Sequence, residues 1–143
     1  MKLLKLYILL FASALLFSCG DDDSSENKSP ITGTWKTVSY ETREGAGEWE
    51  PTDEACRLDD TEEYKADGSW TKYDGTNQCS AGTGIIKGTW ALTASDTKIV
   101  YTYDGFEGEY ESTVEQLSEQ ALIITSSAGD LDNTQYRATY IKK

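Results

Sequence analysis

The residues of this chain able to do chemistry are few in kind. There are three cysteines, 25 acidic side chains and a heavy load of aromatic rings, with no histidine at all. A Ser-His-Asp triad, a Cys-His pair and a histidine-ligated zinc or copper site are therefore excluded. Asp59, Asp60, Glu62 and Glu63 form one acidic knot, and Asp130, Asp132 and Asn133 a looser one. Hard oxygen ligands suit calcium. Neither group has the glycine and terminal glutamate of a calcium loop, so both are read as solvated loops and no metal is expected. Paired carboxylates cleave glycosides, but carboxylates this abundant form pairs by chance. With the usual acid–base side chain missing, no catalytic residue and no cofactor is assigned. The sequence points to a binding or interaction protein rather than an enzyme.

The cysteines sort by position. Lys2 and Lys5 precede an apolar run from Leu6 to Phe17 that ends in Leu16-Phe17-Ser18-Cys19. A run this short does not comfortably cross a bilayer and has the length of a secretory signal's apolar region. Its end resembles the lipobox of bacterial lipoproteins, where a small residue precedes the cysteine that becomes lipidated and N-terminal. Phe17 is bulkier than the pattern's usual residue. Residues 1–18 are thus expected to be a signal peptide and Cys19 the lipidation site. Residues 19–30, with Asp21-Asp22-Asp23 and several serines, are expected to be a disordered acidic tether. The acidic triplet next to Cys19 also resembles the surface-export signal of Bacteroidota lipoproteins. The expected location is the outer membrane, lipid-anchored and exposed at the cell surface. Removing Cys19 from the count leaves Cys56 and Cys79, which in an oxidising compartment read as one disulfide worth about 3 kcal/mol. Two free thiols are the alternative.

Charge and pattern bound the rest. A formal net charge of −12 argues against nucleic acid as partner. From Ile31 onward the apolar residues recur with period two, and turn residues are frequent. The pattern predicts strands over Thr34–Tyr40, Thr61–Ala66, Ser69–Tyr73, Gly84–Leu92, Lys98–Tyr103, Glu107–Leu117, Ala121–Thr125 and Gln135–Ile141. Asp67-Gly68 and Asp104-Gly105 are read as hairpin turns. Residues 43–58 are read as a long loop, with a single helical turn over Thr52–Arg57. The fold class is all-β: residues 31–143 form one domain, a small eight-stranded antiparallel up-and-down barrel. A two-sheet sandwich is the alternative that patterning does not separate from it.

A resemblance supports the barrel. Gly33-Thr34-Trp35 opens the first strand and Gly88-Thr89-Trp90 recurs in the fourth. Between and after them come Cys56, the Tyr64-Lys65-Ala66-Asp67-Gly68 hairpin, Cys79 and Leu117-Ser118-Glu119-Gln120-Ala121-Leu122. In order and spacing these resemble the lipocalin-like domains of Bacteroidota lipoproteins. The resemblance implies that Trp35 packs at the closed end of the barrel with Arg137 lying over it. It also implies a small apolar or amphipathic ligand, for which Trp70, Trp90, Tyr101, Tyr103, Tyr110 and Tyr136 are the candidate contacts. Trp49, Tyr73 and Phe106 lie close to loops, where they could also stand at a mouth. The domain is short for a lipocalin. A barrel filled by its own side chains, acting as an accessory subunit for a surface protein partner, is the competing expectation.

Overall fold

The computed structural model describes residues 29–52, 55–79, 84–128 and 133–143. The expected signal peptide, Cys19, nearly all of the tether, Asp130 and Asp132 lie outside these residues. Among the described residues there are nine strands. They are β1 (Gly33–Glu44), β2 (Glu50–Pro51), β3 (Thr61–Tyr64), β4 (Ser69–Tyr73), β5 (Ile85–Thr93), β6 (Lys98–Tyr103), β7 (Tyr110–Leu117), β8 (Ala121–Ser127) and β9 (Thr134–Lys142). From β3 to β9 each strand pairs antiparallel with the next. β1 pairs with β3 on one side and β9 on the other. The sheet therefore closes on itself, and the eight strands other than β2 form the barrel. All strands belong to one sheet, which decides against the sandwich. Closure leaves no row of unpaired backbone groups along an edge.

Three expectations are corrected. β1 runs on to Glu44 rather than stopping at Tyr40, because Glu41–Glu44 pairs with Arg137–Thr134 of β9. A register shift between Thr37 and Ser39 sends Val38 outward and lets Tyr40 and Thr42 face in beside Ala138 and Tyr136. The 43–58 segment is not all loop, since β2 pairs with Glu41 and Thr42; the expected helical turn is present as a 3-10 turn over Ala55–Arg57. Asp104-Gly105 turns the chain, with the Phe106 N–H donating to the Tyr103 carbonyl at 3.1 Å, but β7 begins only at Tyr110. The longer connection leaves Phe106 in solvent.

The two ends of the barrel differ. Short turns at Lys65–Gly68, Ala94–Thr97 and Ser118–Gln120 close one end, where the chain also enters at Ser29–Thr32. Ile31, Trp35, Ile99 and Leu122 are fully buried there. The Trp35 indole N–H donates to the Ile31 carbonyl at 2.6 Å, folding the entering segment across the end like a plug. The connections after Glu44, Tyr73, Tyr103 and Ser127 leave the opposite end.

The two Gly-Thr-Trp tripeptides need their glycines for different reasons. Gly33 has φ +136°, and a Cβ there would meet Lys142 Cε at 2.8 Å. Gly88 sits between Trp70 and Tyr103 in the cross-strand row, and its Cβ would fall 1.8 Å from the Thr102 carbonyl oxygen. No side chain fits at Gly88, so the rings on either side of it come within 5.5 Å.

Candidate functional site

Period-two alternation puts Glu62 and Tyr64 of β3 inside and Glu63 outside. The Asp67-Gly68 hairpin fixes what they meet: Tyr64 lies across from Trp70, and Glu62 across from Lys72. The turn is held by Asp67, whose Oδ1 accepts from the Ser69 N–H at 2.9 Å and the Ser69 hydroxyl at 2.7 Å. These bonds pull the Asp67 carboxyl below its ordinary range.

Glu62 is the centre of a buried polar network. Its Oε2 accepts from the Tyr64 hydroxyl at 2.7 Å and the Trp70 indole N–H at 3.0 Å. Its Oε1 accepts from the Tyr140 hydroxyl at 2.9 Å. Since Tyr64 gives its proton to Glu62, its oxygen takes the Tyr101 hydroxyl proton at 2.8 Å. A carboxylate lifted out of water in this way is tolerable only because donors replace its hydration. Burial first, and the Glu62 carboxylate second, push the Tyr64, Tyr101 and Tyr140 phenols well above the ordinary phenol range. Tyr103 is raised for the same two reasons. The phenols therefore stay protonated, as donation to Glu62 requires.

Above this network the barrel is hollow. A cavity of about 210 Å³ lies between Glu62, Trp70, Tyr101 and Tyr140 on its floor and Tyr40, Arg57 and Tyr136 toward the mouth. Ser112, Ser126 and Ala138 supply small side chains on the far wall, and Ile86, Tyr103 and Lys72 complete the near one. Arg57 comes from the 3-10 turn and lies over the Tyr40 ring at 4.7 Å. Lys72 pairs with the buried Asp60 at 2.9 Å.

The segment carrying Arg57 is tied down at several points. The Cys56–Cys79 disulfide forms, as the cysteine count implied. Asp59 Oδ2 accepts from the Thr76 and Asn77 N–H groups, and Asp60 Oδ1 from Gly75. The acidic knot read from the sequence is thus dispersed: two members staple the mouth, one lies inside, and Glu63 faces outward near Lys65.

A second concavity lies at the open rim of the barrel, beside the mouth. Ile85, Ile86, Tyr103, Phe106 and Tyr110 line an open apolar cleft of about 900 Å³, with Lys87 and Asp104 at its margin.

The candidate ligand contacts divide among these places. Trp70, Tyr101, Tyr103 and Tyr136 line the cavity. Tyr110 lies on the rim cleft beside Tyr103, ring centroids 4.7 Å apart. Trp90 touches neither: it packs edge-on against Tyr64 and donates to the Lys65 carbonyl at 3.0 Å. Of the loop aromatics, Phe106 lines the cleft. The expected Trp35–Arg137 pair is corrected. The cation over Trp35 is Lys142, at 4.9 Å, its cross-strand neighbour. Arg137 points outward, pairs with Glu41 at 2.7 Å and stacks on Trp49 at 4.6 Å. Arg43 covers Trp49 as well, at 4.3 Å. An outward-facing position of β9 nearer the mouth does not reach a tryptophan at the closed end.

Sequence reading missed Glu62, Lys72, Arg57 and Tyr40. A signal existed for the first two, since the hairpin register sets Glu62 beside Lys72. A four-residue strand with a glutamate on each face, however, gives no hint which one is inside.

The sequence model of a family described as a lipocalin-like domain matches residues 31–124. Among solved structures, a duf4847 family protein from Bacteroides vulgatus ATCC 8482 is similar over 78% of this chain and 94% of its own, with 15% identity and a TM-score of 0.49. None of the curated proteins matches.

Proposed function

Since this chain belongs to the lipocalin-like domain family, we propose that it is a binding module that holds a small amphipathic ligand in its barrel without turning it over. The observation that carries this reading is the cavity of about 210 Å³ beneath Arg57 and above the Glu62 network. A 150 Å³ cavity holds a benzene-sized guest, so this space suits one ring or a compact head group, below the usual range for a drug-sized ligand. Titration of single-ring and short-chain amphiphiles should quench or shift the emission of Trp70, which lines the cavity. Ser126→Leu, which fills the cavity from its wall, should abolish the response. A response that survives this substitution would sink the reading.

The module is carried, in the same proposal, on a lipid anchor at Cys19 at the outer-membrane surface. The charge–apolar–small-residue order of residues 1–19 supports this, as does the acidic tether that follows. The described chain enters at the closed end, so a tether from Cys19 would leave the mouth facing away from the membrane. Fatty-acid labelling of the wild type, lost in Cys19→Ala, tests the anchor. The competing reading, an accessory subunit for a surface protein, draws on the exposed cleft at Phe106 and Ile85. Cross-linking on intact cells from a probe at Lys87 separates the two.

A further inference from the structure

We infer that the rim cleft over β5, β6 and β7 is a docking site for a protein partner: it takes a basic segment that carries an apolar side chain among its lysines or arginines. The inference concerns the rim, and it does not depend on the cavity being a ligand site.

The loop from β6 to β7 displays an aromatic ring that the fold does not use. Phe106 is 72% accessible, and Ile85, Ile86 and Tyr110 beside it are exposed as well. Burying a phenylalanine stabilises a barrel, and leaving it in water forgoes that gain. Gly105 and Gly108 flank it at φ +85° and +111°, with nothing within 4 Å of either Cβ position. The Phe106 N–H donates to the Tyr103 carbonyl at 3.1 Å, so a backbone turn fixes where the ring stands. Apolar surface gathered in one exposed place marks a contact site.

The charge around the ring is one-sided. Asp104, Glu107 and Glu109 stand exposed on the same loop, and among the described residues no cation pairs with them. Among the described lining residues the cation is Lys87, at the margin. Glu111, the next acid along, is taken by Lys98. An apolar centre inside a polar border is the anatomy of a protein–protein interface, and complementary charge selects the partner.

These features pick one occupant. Nucleic acid and an anionic lipid surface are repelled by the loop and by a chain of net charge −12. A second copy set rim to rim would bring its own Asp104, Glu107 and Glu109 against these. A small cationic amphiphile fits poorly. The cleft, of about 900 Å³, is open along the side where Phe106 stands in water, whereas small-molecule sites enclose most of their guest. The acids are spread from Asp104 to Glu109, beyond the reach of one ammonium group. A polypeptide meets both demands. Alternate residues of an extended segment point the same way, so one apolar side chain fills the cleft while basic ones on either side of it reach the carboxylates.

The test uses the full chain in phosphatidylcholine nanodiscs and three synthetic peptides with a dye at one end: KTKTFTKTK, ETETFTETE and KTKTSTKTK. Fluorescence anisotropy at physiological ionic strength reads binding, with empty nanodiscs as baseline. KTKTFTKTK should bind at least about tenfold more tightly than either of the others, the worth of one covered phenylalanine or of several exposed ion pairs. Phe106→Ser should remove the advantage of KTKTFTKTK over KTKTSTKTK, while KTKTSTKTK itself binds as before. Glu107→Gln with Glu109→Gln should weaken KTKTFTKTK about three- to tenfold. The same change toward the closed end, Glu115→Gln with Glu119→Gln, should alter it less than about twofold, since screening removes charges that distant.

Equal binding of KTKTFTKTK and KTKTSTKTK would reduce the effect to diffuse attraction by an acidic chain and overturn the site. An equal loss in the closed-end pair does the same. Binding of ETETFTETE as tightly as KTKTFTKTK overturns the basic partner. Dimers in sedimentation that Phe106→Ser abolishes assign the cleft to a second copy instead. Ser126→Leu fills the cavity and should leave KTKTFTKTK unchanged; a loss there puts the probe inside the barrel and overturns the rim site. Failure of KTKTFTKTK to bind overturns it outright. The cavity reading stands or falls separately, on the amphiphile titration with the same Ser126→Leu.

Discussion

The closed end and the mouth of this barrel are built from the same eight strands by opposite chemistry. At the closed end Ile31, Trp35, Ile99 and Leu122 exclude water completely, and the one polar group of Trp35 is satisfied by a neighbouring carbonyl. Toward the mouth a carboxylate, two cations and several hydroxyls surround a void, held by a disulfide and by aspartates that cap backbone N–H groups. The closed end gains stability from contact area. The mouth spends part of that stability on keeping a polar space open. Stability should therefore be sensitive to size at one end and to hydrogen bonding at the other.

Four measurements sharpen or break this contrast. The largest effect is expected for Trp35→Ala, which should cost about 3–5 kcal/mol in urea unfolding. Tyr136→Ala, half-buried beside the cavity, should cost less than about 2 kcal/mol because it enlarges an existing space. Equal losses would mean that the mouth is packed as tightly as the plug.

Next comes replacement of both Cys56 and Cys79 by serine. The bridge joins residues 23 apart in sequence, and chain-entropy arguments put its contribution at about 3 kcal/mol. The loss should be accompanied by faster proteolysis between Gly45 and Asp60, while Trp35 stays protected. Exposure of Trp35 at the same denaturant concentration would show that the two ends do not differ in local stability.

Glu62→Gln should cost about 1–2 kcal/mol, since an amide accepts through one oxygen where the carboxylate used two. The same network sets the response to alkali. Tyr64, Tyr101 and Tyr140 titrate above the ordinary phenol value of 10.0 in the folded barrel. Between that value and their folded values, the unfolded chain has lost protons that the barrel retains. Stability is thus fully supported below pH 10 and falls as pH rises beyond it. Absorbance at the phenolate band should show these three rings ionising together with unfolding rather than before it. Glu62→Gln should soften that coupling, because one of the charges opposing ionisation is gone.

The smallest effect is expected for Arg137→Ala, about 1 kcal/mol, from loss of the Glu41 pair and the Trp49 stack on a partly exposed surface. Lys142→Ala, over Trp35, should be similar or smaller. A large loss at Arg137 together with a change in Trp35 emission would restore a direct link between the two residues.

Much of the barrel was legible as pattern. The Asp67-Gly68 turn fixed the register of β3 on β4, and period-two alternation separated the faces of β6 and β9, whereas β8, apolar on both faces, gave no such signal. The site was far less legible. Trp70, Tyr101, Tyr103 and Tyr136 were singled out as aromatics on strands, yet Trp90, chosen by the same rule, lies below the cavity against Tyr64. Arg57 reaches the cavity only because a loop crosses the mouth and is bridged to Cys79.

By itself the sequence determined the all-β class, the exclusions set by the missing histidine, the two cysteines available to pair and several strand faces, because these depend on residue type and on a period of two that is local. Tertiary structure decided which of four neighbouring acids is buried, which cation covers which indole, and where the hollow lies. Those depend on strands distant in the chain being brought into register by closure, and two Gly-Thr-Trp tripeptides of identical sequence end in different roles for that reason.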